Sequence, residues 1–168
     1  MTAAIRIRSA QAQDAAAMAR VHVETWRETY RGIMRDEVLD HPGFVASRTR
    51  FWTAALTDPH FARNRAAVAE LDGEIIGIAM SGPPMDADAD PAWTAQLYLI
   101  YVYAAHHGTG AGSRLIDAVL LPDEPASLWV ADPNPRAQSF YRKNGFVADG
   151  ATKVDDGVRE VRMVRAAR

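Results

Sequence analysis

The run Leu97-Tyr98-Leu99-Ile100-Tyr101-Val102-Tyr103 is the most β-prone stretch of the chain, aromatic or branched on both of its faces. A strand of that kind must be covered on both sides, which predicts a central position in a sheet. It leads into His107-Gly108-Thr109-Gly110-Ala111-Gly112-Ser113, and from Ser113 to Leu121 the apolar period is helical. A strand feeding a helix through a turn poor in side chains presents several backbone N–H groups and the positive end of a helix dipole at one point. That arrangement suits a phosphate or pyrophosphate; the alternative is a flexible turn that lets strand and helix approach closely. Two familiar phosphate loops are excluded by the letters. The dinucleotide fingerprint requires a glycine where Ser113 stands, and the P-loop requires a lysine after its last glycine, whereas Ser113 follows Gly112.

The rest of the chain alternates strands and helices. Ile5, Ile7 and Ser9 have strand period, and Asp14 opens an alanine-rich helix on which Met18, His22, Trp26 and Tyr30 recur every fourth residue, with Gly32 as its stop. Val45 to Leu56 reads as a second helix bearing Phe51 and Trp52 and halted by Asp58-Pro59. Arg65 to Leu71 and Glu74 to Ser81 flank Asp72-Gly73, a hairpin signal, and Gly82 to Trp93 is an aperiodic loop. Ser127 to Ala131 reads as a short buried strand and Pro135 to Asn144 as a helix capped by Gly145. Phe146 onward reads as two strands turning at Asp155-Asp156-Gly157.

With 168 residues, 48% of them hydrophobic and 24% charged, the expectation is one folded α/β domain over 1–168. Lysine plus arginine number 19 against 21 aspartate plus glutamate, so nothing draws the chain as a whole to nucleic acid. The absence of cysteine excludes disulfides, thiolate metal sites and a cysteine nucleophile. No metal site is expected: Asp86-x-Asp88-x-Asp90 fails as a calcium loop because Pro91 and Leu97 stand where glycine and glutamate are needed. Nothing in the chain approaches the about 18 apolar residues of a membrane span, and Met1 to Arg8 has no leader character, so no membrane contact and a cytoplasmic location are expected.

Leu97-Tyr98-x-x-Tyr101-Val102 followed by Gly108-Thr109-Gly110-Ala111-Gly112 resembles the acyl-CoA-binding motif of the GNAT superfamily of N-acetyltransferases. His107 takes the place of the usual glutamine or arginine, and Ala104 that of a frequent proline. A second and more specific element, Leu128-Trp129-Val130-x-x-x-Asn134-x-x-Ala137-x-x-Phe140-Tyr141-x-Lys143-x-Gly145-Phe146, resembles the other hallmark of that superfamily. His22-x-x-Thr25-Trp26-x-x-x-Tyr30-x-Gly32-Ile33 is similar to the first helix of one bacterial GNAT group. The resemblance implies a mixed, mostly antiparallel sheet of about six to seven strands flanked by helices. It implies acetyl transfer from acetyl-CoA, without a metal, to a primary amine of a small molecule or peptide by direct attack in a ternary complex.

By the same resemblance, main-chain groups of Ile100, Tyr101 and Val102 would pair with the pantetheine arm. Gly108, Thr109, Gly110, Ala111, Gly112 and Ser113 would take the pyrophosphate, with His107 beside them among the cofactor-binding residues, and Asn134 would bond the pantetheine or its attacking partner. Tyr141 would be the general acid, its alternative being a tyrosine packed beside Phe140. Trp26 and Tyr30 are candidates for the acceptor pocket or, equally, for helix packing. Gln96 stands where many relatives carry a glutamate, and an amide takes no proton. Glu24, Glu28 or His22 could serve instead, or the free amine could attack with proton loss to water. Asp86, Asp88 and Asp90 either attract a cationic amine or form a solvated loop. A non-catalytic acyl-CoA-binding module with the same fold is the alternative function. A homodimer is allowed but not specified.

Overall fold

Strand β4 (Ala95–Val102) lies at the middle of a seven-stranded sheet in a computed structural model that describes residues 3–167. On one side β3 (Glu74–Gly82), β2 (Arg65–Leu71) and β1 (Arg6–Ser9) follow as antiparallel neighbours, the first two joined by the expected turn at Asp72-Gly73. On the other side β5 (Ala126–Ala131) runs parallel to β4, then come β7 (Val158–Arg165) and β6 (Val147–Asp155). The mixed, mostly antiparallel sheet therefore has the order β1-β2-β3-β4-β5-β7-β6.

Helices cover both faces, as a doubly apolar central strand requires. Between β1 and β2 the chain forms α1 (Ala15–Tyr30), α2 (Asp36–Leu39) and α3 (Phe44–Thr57). Met18, Val21 and Trp52 from this group bury against Val68 and Ile78. On the opposite face α4 (Ala111–Val119) and α5 (Pro135–Lys143) bring Leu115, Ile116 and Tyr141 against Leu128, Phe146 and Met163. Each such side chain contributes about 1.5–3 kcal/mol when fully buried.

The start of one helix, the end of the central strand and one short helix differ from the sequence expectation, each for a local reason. Helix α4 starts at Ala111 rather than Ser113, because Gly110 at φ +84° supplies the N-cap and Gly112 lies within the helix. The central strand ends at Val102 rather than Tyr103, whose N–H instead bonds the Ile76 carbonyl at 3.1 Å. The four-residue α2 was not expected, being too short to show a period.

Candidate active site

The two parallel strands at the sheet's centre part company. β4 and β5 pair only at Ala95↔Ala126, Gln96↔Ser127 and Leu97↔Leu128, although both run on. At that point β4 carries a bulge: Met80 opposes Leu99 and Ser81 opposes Leu97, which leaves Tyr98 as an extra residue. A bulge bends and twists its strand. Beyond it, Leu99 to Val102 stay bonded to β3 while their other edge, toward β5, has no strand partner among the described residues. A cavity of about 1210 Å³ occupies the opening, lined from one face by Trp26 and Tyr30 and from the other by Gly110, Asn134 and Tyr141. Ile100, Tyr101 and Val102 form its wall.

At one end of the cavity lies the glycine turn. Gly108 and Gly110 adopt φ of +79° and +84°, and a Cβ on either would meet nothing within 4 Å. Conformation, not crowding, therefore demands glycine there. Gly112 is required for a different reason: its Cβ would stand 2.9 Å from the Phe140 ring of α5. The first amides of α4 lack intrahelical acceptors, and Ala111, Gly112 and Ser113 line the cavity. A ring nitrogen of His107 donates to the Val102 carbonyl at 2.8 Å and ties the turn to the end of β4. Thr109 is not in the lining; its hydroxyl donates to the His106 carbonyl at 2.7 Å and braces the turn. Asn134 caps α5, its Oδ1 accepting from Ala137 N–H at 3.2 Å, which turns its Nδ2 donors into the groups free for a ligand's carbonyl.

Tyr141 is positioned by the end of its own helix. Phe146 N–H donates to the Tyr141 carbonyl at 3.0 Å and Gly145 N–H to the Arg142 carbonyl at 3.1 Å, with Gly145 at φ +89°. This is a Schellman motif, and its apolar contact is the Phe146 ring, 6.1 Å from that of Tyr141. The tyrosine is 9% exposed yet lines the cavity, and among the described residues its hydroxyl makes no hydrogen bond. Burial, and the neighbouring Tyr30 to a lesser degree, push its ionisation above the usual phenol range, so it stays protonated at neutral pH.

The other end of the cavity separates the remaining candidates. Trp26 and Tyr30 line it and also pack on each other with ring centroids 5.3 Å apart. His22 does not reach it. It is 3% exposed among Trp26, Phe51, Trp52 and Tyr101, and its Nδ1 accepts from the Trp52 indole at 3.3 Å. Burial lowers its pKa to about 3, with the nearby Arg48 adding to the effect. Glu24 accepts from the Tyr103 hydroxyl at 2.5 Å and is not in the lining, whereas Glu28, which is, accepts from Ala104 N–H at 2.9 Å.

Gln96 acts structurally, its Oε1 accepting from Met85 N–H at 2.9 Å and pinning the loop before β4 over the cavity. That loop's aspartates have hydrogen-bond or ion-pair partners within the protein. Both Asp86 oxygens accept from the Trp129 indole at 3.0 Å. Arg162, 11% exposed, bonds Asp149 at 2.7 Å and approaches Asp88 at 3.5 Å and Asp86 at 4.0 Å, while Asp90 accepts from Ala92 N–H. Sequence reasoning missed Trp129, Lys153 and Glu160, which share the cavity wall. The signal that could have found Glu160 is the alternation Val158, Glu160, Arg162 along β7.

The model of the acetyltransferase (GNAT) family matches residues 18–146. The chain belongs to that family. It is similar to a probable N-acetyltransferase of Mycobacterium tuberculosis, 32% identical over 152 residues that cover 88% of this chain and 83% of the relative. An uncharacterized N-acetyltransferase of Bacillus subtilis is 26% identical over 136 residues, covering 78% of this chain and 74% of its own. Among solved structures, the fold matches a PaiA N-acetyltransferase from Thermoplasma acidophilum in complex with coenzyme A. The TM-score is 0.72 at 20% identity, covering 97% of this chain and 99% of that one. It also matches a histone acetyltransferase HPA2-related protein from Corynebacterium glutamicum, with a TM-score of 0.70 at 23% identity over 100% of this chain and 98% of that one. The GNAT chain described here is accordingly an acyltransferase that carries out acetyl transfer. Among its described residues no helix is long and apolar enough to cross a membrane, and no group of three or more His, Asp or Glu is placed to hold a metal ion.

Proposed function

We propose that this GNAT enzyme moves an acetyl group from acetyl-CoA to a primary amine by direct attack within a ternary complex. The observation that carries the reading is the unpaired edge of β4, which ends at the cradle of Gly108 to Ser113 and faces Tyr141 across the cavity. A pantetheine arm carries amides at strand-like spacing, and the edge at Leu99 to Val102 offers backbone groups to pair with them. Open left-handed glycines and the first amides of α4 suit the pyrophosphate, and Arg136 and Lys143 line the same cavity as cations. When bound, acetyl-CoA supplies a thioester carbonyl and a thiolate leaving group. Main-chain N–H groups of the bent strand polarise that carbonyl, and Asn134 Nδ2 holds the arm. Tyr141 gives its phenolic proton to the departing sulfur, and because burial raises its ionisation the phenol still carries that proton when the thiolate forms.

The test is calorimetry with coenzyme A. The parent should bind, and Gly110→Glu should abolish binding, because a glutamate at φ +84° strains the turn and sets a negative charge where the phosphates lie. Unchanged affinity in a folded Gly110→Glu variant, or no binding by the parent, would assign the cavity to another ligand.

A further inference from the structure

Glu160 stands where β7 pairs with Ala131 of β5 on one side and Lys153 of β6 on the other. Its neighbour Val161 packs into the core beneath α4 and α5, so Glu160 projects from the opposite face, the one that α1 covers. There it lines the cavity with its side chain 23% exposed. Groups from several elements face it. Lys153 Nζ of β6 is 3.7 Å away and Asp155 lies further along the same strand. Tyr30 of α1 and Tyr101 of β4 both feel its charge, and Tyr141 of α5 lies next to those two. Burial raises the Glu160 pKa against the pull of Lys153, with Asp155 adding a smaller upward push.

Lys153 shows what chemistry the place accepts. Its ammonium sits 4.4 Å from the centroid of the Trp129 ring and 3.7 Å from the Glu160 carboxylate. An aromatic face on one side and a carboxylate on the other is a seat for a primary ammonium. The lysine is 39% exposed on a flexible stem and can yield the place to a ligand. The cavity that holds this seat is also lined by Trp26, Tyr30, Met34 and Met85, which are apolar or aromatic.

We infer that Glu160 holds the ammonium of the acceptor against Trp129 and takes its proton before attack, and that the acceptors are primary amines on an apolar or aromatic body. This rests on the acetyl-transfer reading above. Glu160 is then the catalytic base that Gln96 cannot be. The Glu160 carboxylate takes the first proton of the ammonium, and the freed nitrogen pair forms the N–C bond to the acetyl carbon. The C–S bond breaks with its electron pair on sulfur, which Tyr141 protonates. The second nitrogen proton returns through water to the Tyr141 phenolate, and Glu160 gives up its own to solvent when the amide leaves.

The probe is phenethylamine, with binding measured calorimetrically on the complex of the enzyme with coenzyme A, and acetylation by thiol release. The parent should bind the amine, and Glu160→Gln should weaken that binding at least tenfold while coenzyme A affinity stays unchanged. In acetylation, kcat/KM of the parent should be flat across neutral pH. That of Glu160→Gln should fall at least tenfold at pH 7 and climb toward the amine's own pKa. Lys153→Met, an exposed change, should move the acid limb of the parent profile upward in pH, because it removes the cation that favours ionised Glu160. Should Glu160→Gln not fold, Glu160→Asp and Lys153→Met carry the test through the same limb. A parent that binds coenzyme A but not phenethylamine overturns the inference, as do unchanged amine affinity in Glu160→Gln or an acid limb indifferent to Lys153. A parent that binds no coenzyme A overturns the acetyl-transfer reading instead.

Discussion

Tyr141 and His22 show how two ring side chains read alike in a sequence and part in three dimensions. Tyr141 keeps a hydroxyl free toward the cavity while its ring is held by Phe146. Tyr141→Phe should lower kcat by about ten- to a thousandfold with little change in donor affinity, the range of a lost general acid; steady-state kinetics beside coenzyme A calorimetry checks it, and full activity would leave the tyrosine a packing role. His22 is neutral in the fold, with its pKa down at about 3 against an ordinary 6.5. The unfolded chain takes up a proton below pH 6.5 that the folded chain refuses, so stability is present above that pH and is lost as pH falls toward 3. Between pH 7 and 5 the loss is about 2 kcal/mol. Asp14, held low by the Arg8 guanidinium, loses its contribution only at more acid pH, and Glu160, shifted the other way, acts in the opposite sense. The quantity to measure is therefore the difference between parent and His22→Leu in urea unfolding at both pH values. The variant should lose less stability on acidification by about that amount, and equal losses would mean that His22 is charged in the fold.

At the scale of elements, the letters F-Y-x-K-x-G-F were legible in the sequence, but what they accomplish was not. Phe140 fills the space that Gly112 leaves on α4, and Gly145 and Phe146 close the Schellman motif that aims Tyr141. Thus the two motifs, far apart in the chain, are one contact between α4 and α5. Gly112→Ala should destabilise by about 1–3 kcal/mol, the usual range for overpacking. Phe140→Leu, itself a cavity-forming change, should cost less in the Gly112→Ala background than alone, giving a coupling energy of about 0.5–3 kcal/mol in a double-mutant cycle. Denaturant unfolding of the four proteins checks this, and additive effects would deny the contact. The central strand and its hairpin were legible because their apolar pattern is continuous. The bulge at Tyr98 was not, since nothing in Leu97-Tyr98-Leu99 distinguishes an extra residue from a regular one.

Across the whole molecule, the order of the last two strands decides what the cavity contains. Because β7, not β6, lies against β5, Glu160 comes beside Ala131 and reaches the opening; reversing the two strands would place it at the sheet's edge. The alternation Val158, Glu160, Arg162 marks one face of β7, but no local pattern in Val147 to Arg165 says which of the two strands lies against β5, so the place of that face beside the cavity was not legible in the sequence. The cavity that results passes through the sheet between β4 and β5, with the glycine cradle and α5 on one face and Trp26, Trp129 and Glu160 on the other. Donor and acceptor can then enter from opposite faces and be held together, while the chain has no cysteine to carry the acetyl group between separate visits. Initial-rate plots against both substrates should therefore intersect. Coenzyme A, sharing the donor's half of the cavity, should compete with acetyl-CoA but not with the amine. Parallel lines, together with an acetylated enzyme isolated in the absence of amine, would instead require a covalent relay through a residue of this chain.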